Sequence, residues 1–297
     1  MPFAPARRRT VAAFVAVLAT GLAGLAAGPA SAAPAAPAPA TEPVPSLTAA
    51  AREAGVQPGN ATMGWQAGES TVSPDAAPQL AAAAWKPSGV LGLDVSSWQG
   101  TVNWTSWRNK GYRFAYVKAT EGTSYRNPYF SSQYRGSYNA GMVRGAYHFA
   151  RPANSSGTAQ ARYFVRNGGG WSADGRTLPG VLDIEYNPYG ATCYGLSRAR
   201  MVTWIGDFTR EYKRLTGRNA TIYTTNNWWR TCTGNSKKFS KVNKLWVARY
   251  GTRTPGTLPG GWTRAWVWQY TNNPIDQNRF YSTVTQLRAY AKGKYKA

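Results

Sequence analysis

The chain has 297 residues and a formal net charge of +23 at pH 7, with 35 basic residues against 12 acidic ones. A field of that sign favours polyanionic partners, but no recognised nucleic-acid-binding motif accompanies it, so we do not expect nucleic acid as a partner. With a single histidine in the chain, there is no histidine cluster to share a metal, and we expect neither a metal nor a cofactor.

The first 33 residues predict a secretory signal peptide. Three arginines at 7–9 precede an apolar stretch over 11–28, and a run of small residues follows at 30–33. A membrane anchor is the alternative, but the stretch is rich in Ala and Gly and barely long enough to span a bilayer. We therefore expect a secreted, extracellular protein without a stable membrane anchor, and the export route stays open.

Residues 34–86 predict an Ala/Pro-rich linker or pro-segment that is largely disordered. A short helix around residues 47–54 is the possible exception. Up to residue 85 the segment contains one base, Arg52, and four acids, so its net charge is negative while the rest of the chain is strongly basic. No chemistry is visible in it.

Residues 87–297 are long enough for one sizeable domain. Short apolar runs predict strands at 90–95, 114–119, 144–150, 180–185, 220–224, 244–250 and 265–270. The clearest helix ends at Gly217 and has one apolar face, which consists of Met201, Trp204, Ile205, Phe208, Tyr212 and Leu215.

Strands that alternate with helices imply parallel pairing, and seven or eight such units suggest an α/β fold of the TIM-barrel type. A doubly wound open sheet is the alternative, but no glycine-rich phosphate-binding fingerprint supports it. In the last third of the domain, turns rather than long helices separate the strands, so we expect the barrel to be irregular there.

The pair Asp183 and Glu185 lies in an apolar run that follows Pro179 and Gly180. Side chains alternate along a strand, so these two carboxylates face the same side, with Cα atoms roughly 6.5 Å apart. Two acids in apolar surroundings resist ionising together, and such pairs usually exist for chemistry. Acid-catalysed glycoside cleavage is the reaction that most often requires them. A structural pairing with arginines inside the barrel is the alternative.

Other acids converge on the same rim, because barrel active sites lie at the carboxyl ends of the strands. Asp94 lies near the end of the first predicted strand and Glu121 just beyond the second. Asp94 could instead cap the loop that follows it, and for Glu121 we favour a structural role in holding a rim loop. Asp207 and Glu211 lie one turn apart on the long helix and predict a solvated face.

The domain resembles the family 25 glycoside hydrolases, the N-acetylmuramidases or lysozymes that act on peptidoglycan. Six motifs in chain order carry the resemblance: residues 92–100, 114–122 followed by Asn127, 147–149, 183–185, 246–250 and 268–270. The resemblance implies an irregular TIM-like barrel of eight strands, with helices missing near the C-terminal end. It covers almost the whole basic domain.

The resemblance also implies the roles of individual residues. Glu185 would protonate the glycosidic oxygen, and Asp183 would orient or polarise the 2-acetamido group of the substrate. Asp94 and Asp276 match further acids of the family's cleft, although the segment before Asp276 is shorter here than in the family. Substrate assistance is favoured over a water-based route, because no third carboxylate is obviously placed as a nucleophile.

Aromatic residues at strand ends are candidates for stacking on sugar rings, with a place in the core as the equal alternative. Together with one amide, the predicted substrate-binding residues are Tyr147, Tyr186, Tyr223, Trp246, Tyr250, Trp268 and Gln269. His148 is expected to be a packed, hydrogen-bonded strand residue rather than a catalytic base.

Cys193 and Cys232 predict one disulfide, as an even count does in an exported protein. Closing that loop could contribute roughly 4 kcal/mol. The two cysteines follow the fourth and fifth predicted strands, so the bond would brace the rim beside the acidic pair.

The sequence thus predicts a secreted muramidase, expected to be a monomer, whose partners are peptidoglycan and the anionic polymers of the cell wall. A chitinase-like hydrolase is the second enzyme hypothesis, but the longer acidic run of those enzymes is absent before Asp183. A basic wall-binding module without catalysis is the third hypothesis, against which the intact acids argue.

Overall fold

The structure is a computed structural model that describes residues 46–57, 59–67 and 86–294. All of them belong to one compact unit, Thr41–Ala297. The predicted signal peptide at residues 1–33 lies outside the described residues and stays a prediction. Among the helices that the structure describes, none is both long and apolar enough to cross a membrane.

The sheet closes on itself as a barrel of eight strands within the described residues, with one further short strand on its edge. In chain order the strands are β1 (Val90–Val95), β2 (Phe114–Glu121), β3 (Tyr125–Arg126), β4 (Val143–Phe149), β5 (Val181–Asp183), β6 (Thr221–Thr225), β7 (Leu245–Ala248), β8 (Val267–Thr271) and β9 (Gln277–Phe280). Closure comes from β1, which pairs with both β2 and β9. The barrel strands pair in parallel except β9, which runs antiparallel to both of its neighbours, and the two-residue β3 folds back on the end of β2.

Helices surround most of this barrel. They are α1 (Ala49–Glu53), a 3₁₀ turn (Ser97–Gln99), α2 (Trp104–Asn109), α3 (Phe130–Asn139), α4 (Gly157–Phe164) with a π-helical turn (Val165–Gly169), α5 (Arg198–Thr216), α6 (Asn226–Thr233) and α7 (Val284–Ala291). In the described chain no helix connects β7 to β8 or β8 to β9. The predicted irregular TIM-like barrel, with helices missing near the C-terminal end, is therefore confirmed.

Strand β9 is the barrel strand that the apolar runs did not reveal. Its sequence is Gln-Asn-Arg-Phe, which has no hydrophobic run, and Asn278 points into a polar network inside the barrel. Because β9 is antiparallel, its first residue lies at the rim where the parallel strands end. This places Asp276, one residue before β9, at that rim.

The hydrophobic core has two layers, as alternation along buried strands requires. Inside the barrel, aromatic rings pack on one another: Trp246 lies 5.0 Å from Tyr116 and 5.3 Å from Tyr223 between ring centroids. Outside it, Leu182 and Ile222 pack against the apolar face of α5. Residues next to each other on one strand therefore belong to different environments.

Helix α5 begins after Ser197, whose hydroxyl accepts a hydrogen bond from the Arg200 amide, and ends at Gly217 in the left-handed conformation (φ 72°). Its predicted apolar face is buried except for Leu215, which lies in the last turn and is exposed. The predicted solvated acidic face is corrected at Glu211, which is largely buried. Its carboxylate accepts hydrogen bonds from Arg162 of α4 (2.6 Å) and from Arg214 (2.7 Å), so it ties the two helices together.

Residues 46–57 and 59–67, which lie in the range for which we expected a largely disordered segment, form helix α1 and a following loop that both pack on the barrel domain. The Thr48 hydroxyl caps α1, and Leu47, Ala51 and Val56 form a small apolar cluster with Phe149. The helix lies within the predicted range 47–54. The boundaries of the signal peptide and of the catalytic domain stay predictions.

Candidate active site

The carboxyl end of β5 carries the acidic pair into the interior of the barrel. The strand ladder continues past Asp183, because the Ile184 amide donates to the Tyr223 carbonyl (3.0 Å). Ile184 packs in the outer hydrophobic layer, so Asp183 and Glu185 on either side of it face inward together. Both are fully buried.

The two carboxyl groups have few partners. Among the described residues, no N–H or hydroxyl group pairs with either oxygen of Asp183 or with Oε2 of Glu185. Burial raises the pKa of Glu185 to about 8, although the hydrogen bond from the Gly64 amide acts in the opposite direction. Burial and the charge of Glu185 raise the pKa of Asp183 well above its ordinary value. Glu185 therefore holds its proton at neutral pH.

Asp94, at the end of β1, faces the acidic pair and is fixed by amides of the last two strands. Its Oδ2 accepts hydrogen bonds from Gln269 (2.9 Å) and Asn278 (2.6 Å). Burial nevertheless raises the pKa of Asp94 to about 7. Asp94 thus lies in a preset position, with one oxygen already engaged.

Asp276 completes the acidic group and is the member with part of its surface open to solvent. The Tyr250 hydroxyl lies 3.4 Å from its Oδ1, and the Asp276 carbonyl accepts the Asp94 amide (3.2 Å). Burial of the carboxyl group and the charge of Asp94 raise its pKa well above the ordinary range. The structure thus brings together the four acids that the sequence predicted as catalytic.

The predicted aromatic residues lie in four different places. Tyr223 and Tyr250 lie at the acids, and both donate hydrogen bonds to Oε1 of Gln269 (2.6 and 2.8 Å). Tyr147 also lies among the acids. Burial raises its pKa well above the ordinary value, and the nearby charges of Asp94 and Asp183 raise it further.

Trp246 lies beneath this layer, where its indole N–H donates to Asn278 (2.9 Å), and Tyr186 is half-buried at the edge with its hydroxyl accepting from Asn227 (3.1 Å). Trp268 is placed elsewhere: it points to the outer face of β8, packs in the outer hydrophobic layer and donates to the Arg249 carbonyl (2.9 Å). Its position does not fit the predicted role in sugar stacking.

Lys118 is a buried charged residue beside the acidic pair that the sequence analysis did not single out. It is fully buried on β2, and its ammonium group pairs with Glu121 at 2.6 Å. Its charge also lowers the pKa of both members of the acidic pair, against the larger effect of burial. A lysine within a strand of eight buried residues was the signal that could have revealed it.

Glu121 holds the rim, as its favoured structural role predicted. Its Oε1 accepts a hydrogen bond from the Tyr189 hydroxyl (2.5 Å) and its Oε2 from the Ala61 amide (3.0 Å). His148 is likewise the packed strand residue that we expected, with its ring nitrogens 2.8 Å from the Thr120 hydroxyl and 2.9 Å from the Gln160 side-chain oxygen. Burial lowers the pKa of His148 to about 4, which keeps the ring neutral.

Cys193 and Cys232 form the predicted disulfide, with their Cα atoms 5.3 Å apart. The bond joins the loop after β5 to helix α6. The Trp228 indole adds a hydrogen bond to the Thr192 carbonyl (3.2 Å). The loop that follows the acidic pair is thus fastened to the neighbouring unit of the barrel.

Comparison with known proteins agrees with this geometry. The sequence model of the family described as "Glycosyl hydrolases family 25" matches residues 93–278. The chain belongs to this family. The match spans five of the six motifs completely and reaches from Leu93 to Asn278, so it contains the four acids. The chain is therefore a glycoside hydrolase of the lysozyme type.

Individual relatives give the same result. Lysozyme M1 of Streptomyces globisporus is 49% identical over 212 residues, which are 69% of this chain and 72% of the relative. An N,O-diacetylmuramidase of Chalaropsis sp. is 50% identical over 61% of this chain and 87% of its own length. The crystal structure of a bacterial lysozyme from Streptomyces coelicolor is 51% identical, with a TM-score of 0.69 over 71% of this chain and 100% of the other.

Proposed function

We propose that this chain is a secreted lysozyme that hydrolyses the β-1,4 bond between N-acetylmuramic acid and N-acetylglucosamine in peptidoglycan. The observation that carries the proposal is the buried pair at the end of β5, in which Glu185 has a pKa of about 8. A general acid must hold its proton at the working pH. Glu185 does so at neutral pH, where an ordinary glutamate is ionised.

Asp183 contacts the substrate directly, in addition to influencing the pKa of Glu185. In the described part of the chain neither of its oxygens is committed to an N–H or hydroxyl donor, so the Asp183 carboxyl group has an oxygen available to accept the N–H of a 2-acetamido group. Asp94, by contrast, already accepts two amide hydrogen bonds through Oδ2. These contacts support a route in which the substrate supplies its own nucleophile.

In that route Glu185 gives its proton to the glycosidic oxygen as the bond to C1 breaks, and the leaving sugar departs with a hydroxyl group at C4. The acetamido carbonyl oxygen bonds to C1 while Asp183 holds the acetamido N–H. A water molecule then attacks C1, the bond between C1 and the acetamido oxygen breaks so that the acetamido group is restored, and the water gives a proton to Glu185. The configuration at C1 is retained by two successive inversions.

The partners follow from charge. The basic residues of the domain after residue 85 far outnumber its acids, and a field of that sign concentrates a protein on anionic wall polymers. If this attraction contributes, the rate of peptidoglycan hydrolysis falls as ionic strength rises through the range in which exposed charges are screened. Activity that is insensitive to salt would remove wall polymers from the list of partners.

The bond that is cut identifies the enzyme. Peptidoglycan digested by the chain is reduced with borohydride, and its fragments are analysed by mass spectrometry. New ends that carry reduced muramic acid are expected, whereas reduced glucosamine ends would contradict the assignment. The digest is made with the intact chain and with a chain cleaved at a protease site inserted in residues 68–85, because residues before that point cover Glu185.

A further inference from the structure

The loop of residues 59–67 reaches the acidic pair, and its backbone makes the contacts that a substrate would need. The Gly64 amide donates to Oε1 of Glu185 (2.6 Å). Three residues earlier, the Ala61 amide donates to Glu121 (3.0 Å) and the Ala61 carbonyl accepts from Lys118 (2.5 Å). A general acid must come within hydrogen-bond distance of the oxygen it protonates. At Glu185 the Gly64 backbone already lies within that distance of Oε1, so the chain itself takes up space that the substrate would need.

Apolar contacts reinforce the same placement. Met63 and Ala67 are buried in the inner layer of the barrel core, and Ala61 is buried against Phe149. The Trp65 indole donates to the Tyr186 carbonyl (3.1 Å). Burying a side chain such as Met63 is worth about 1.5–3 kcal/mol, so the loop is held by packing as well as by hydrogen bonds.

The approach at Gly64 requires a glycine. Its φ of +78° lies in the left-handed region, and a Cβ atom there would overlap the Tyr250 hydroxyl, lie 2.5 Å from Oε1 of Gln269 and 2.7 Å from the Tyr223 hydroxyl. These are the groups that line the acidic site. The crevice of about 400 Å³ that remains beside Asp276 has residues 62–65 as part of its wall.

The anchor at the other end is helix α1. The Thr48 amide donates to the Pro188 carbonyl (2.8 Å) in the loop that follows the acidic pair. Leu47 and Val56 pack with Phe149 at the end of β4. The segment is therefore attached on both sides of Glu185, and residues 68–85 connect it to β1.

We propose that residues 46–67 are an autoinhibitory segment, which closes the active site until a protease cuts the chain between residues 67 and 86. The proposal rests on the proposed function, since only a working glycosidase has an activity to withhold. Cleavage lowers the effective concentration of the segment at the active site. A covalent tether gives the segment an effective concentration in the millimolar range, and hydrolysis of one peptide bond turns the contact into a bimolecular one that dilution reverses.

The test uses the full chain with a specific protease site inserted in residues 68–85. We expect kcat/KM on soluble peptidoglycan fragments to rise about 100-fold or more after cleavage and removal of the segment. Adding the synthetic peptide of residues 46–67 to the cleaved enzyme should then raise KM and leave kcat unchanged. An uncut chain that is as active as the cut one would overturn the proposal.

A matched pair of variants separates docking from general backbone strain. Gly64→Ala in the uncut chain should bring activity close to that of the cut enzyme, because its Cβ expels the loop from the site. Gly55→Ala also adds a Cβ at positive φ (+74°), but nothing lies within 4 Å of it, so the uncut chain should stay inactive. Equal effects of the two substitutions would contradict a specific contact at Glu185.

Hydrogen exchange distinguishes failure of this proposal from failure of the proposed function. If the cut chain also lacks activity, the proposed function is wrong. The exchange rates of the backbone amides then show by themselves whether the segment docks. In the uncut chain the Ala61 and Gly64 amides should exchange far more slowly than in the free peptide, because both donate to buried carboxylates. Exchange at the rate of the free peptide would overturn the autoinhibitory contact whatever the activity.

Discussion

Two buried glutamates of this protein have pKa values displaced in opposite directions. Burial raises the pKa of Glu185 to about 8, with no arginine at its carboxylate. Hydrogen bonds from Arg214 and Arg162 lower the pKa of Glu211 to about 2. The side chain is the same in both places, so the difference comes from the partners: a cation stabilises the charged form and an apolar enclosure the neutral one. Of these two glutamates, Glu185 is the one that can deliver a proton at neutral pH.

The largest expected effect is on catalysis by Glu185. Glu185→Gln keeps the shape but removes the proton that the leaving oxygen needs, so kcat/KM on peptidoglycan should fall at least about 1000-fold. Glu211→Gln is the same chemical change on the outer layer, and it should leave kcat/KM unchanged. Initial rates of both variants, measured on chains cleaved within residues 68–85, check this. Comparable losses in the two variants would remove the distinction between the glutamates.

Asp183→Asn is expected to have the next largest effect. The amide still fills the site but no longer attracts the acetamido N–H as charge develops, so kcat should fall about 100-fold with little change in KM. The control is Asp207→Asn on α5, whose carboxylate pairs with Arg210 at the surface and should not affect either constant. A loss confined to KM would show that Asp183 only binds substrate.

Stability should depend on pH with opposite signs for the two environments. Glu185 and Asp94 have folded pKa values raised to about 8 and about 7, so the folded state binds their protons more tightly than the unfolded chain does. The stability they contribute is fully present below their ordinary pKa values and is lost as pH rises through 7 to 8, by on the order of 1–3 kcal/mol per pH unit.

The free energy of unfolding in urea, followed by tryptophan fluorescence at pH values of about 5 and about 9, measures this loss. Glu185→Gln does not titrate and should reduce the pH dependence. A free energy of unfolding that increases over this range would contradict buried, protonated carboxyl groups.

The smallest effect is expected from the ion pairs of Glu211. Its folded pKa is depressed, so the stability it contributes is present above its ordinary pKa of 4.5 and is lost as pH falls towards about 2. The side chains of both arginines that pair with Glu211 are exposed, and ion pairs open to solvent contribute about 1 kcal/mol or less. Glu211→Gln should therefore lower the free energy of unfolding at neutral pH by no more than that. A loss of several kcal/mol would show that these ion pairs are not weakened by solvent.

Much of the fold could be predicted because most barrel strands are apolar runs with turn residues on either side, and α5 has a clear apolar face. Strand β9 was not visible, since its polar residues face a polar network rather than a core. Trp268 and Gln269 could not both face the site, because neighbouring residues on a strand point to opposite sides. Gln269 points inward to Asp94, and Trp268 therefore points outward.

Three acids of the site were predictable because Asp94, Asp183 and Glu185 follow strand ends on one rim, and the resemblance to family 25 added Asp276. The cover over the site was not predictable, because the contacts of Gly64 join residues more than one hundred positions apart in the chain. Ala, Pro and Gly in residues 34–86 predict little intrinsic structure, and the helix and loop at 46–67 depend on the barrel surface for their burial. Long-range packing of this kind has no local signal in the sequence.

A carboxyl titration followed by NMR, with Glu185 and Glu211 observed in the same uncut sample, shows whether burial keeps Glu185 protonated at neutral pH. Midpoints near 8 for Glu185 and near 2 for Glu211 are expected. Two midpoints close to the ordinary value of 4.5 would mean that Glu185 is ionised at neutral pH, and it could not then be the acid that protonates the leaving sugar.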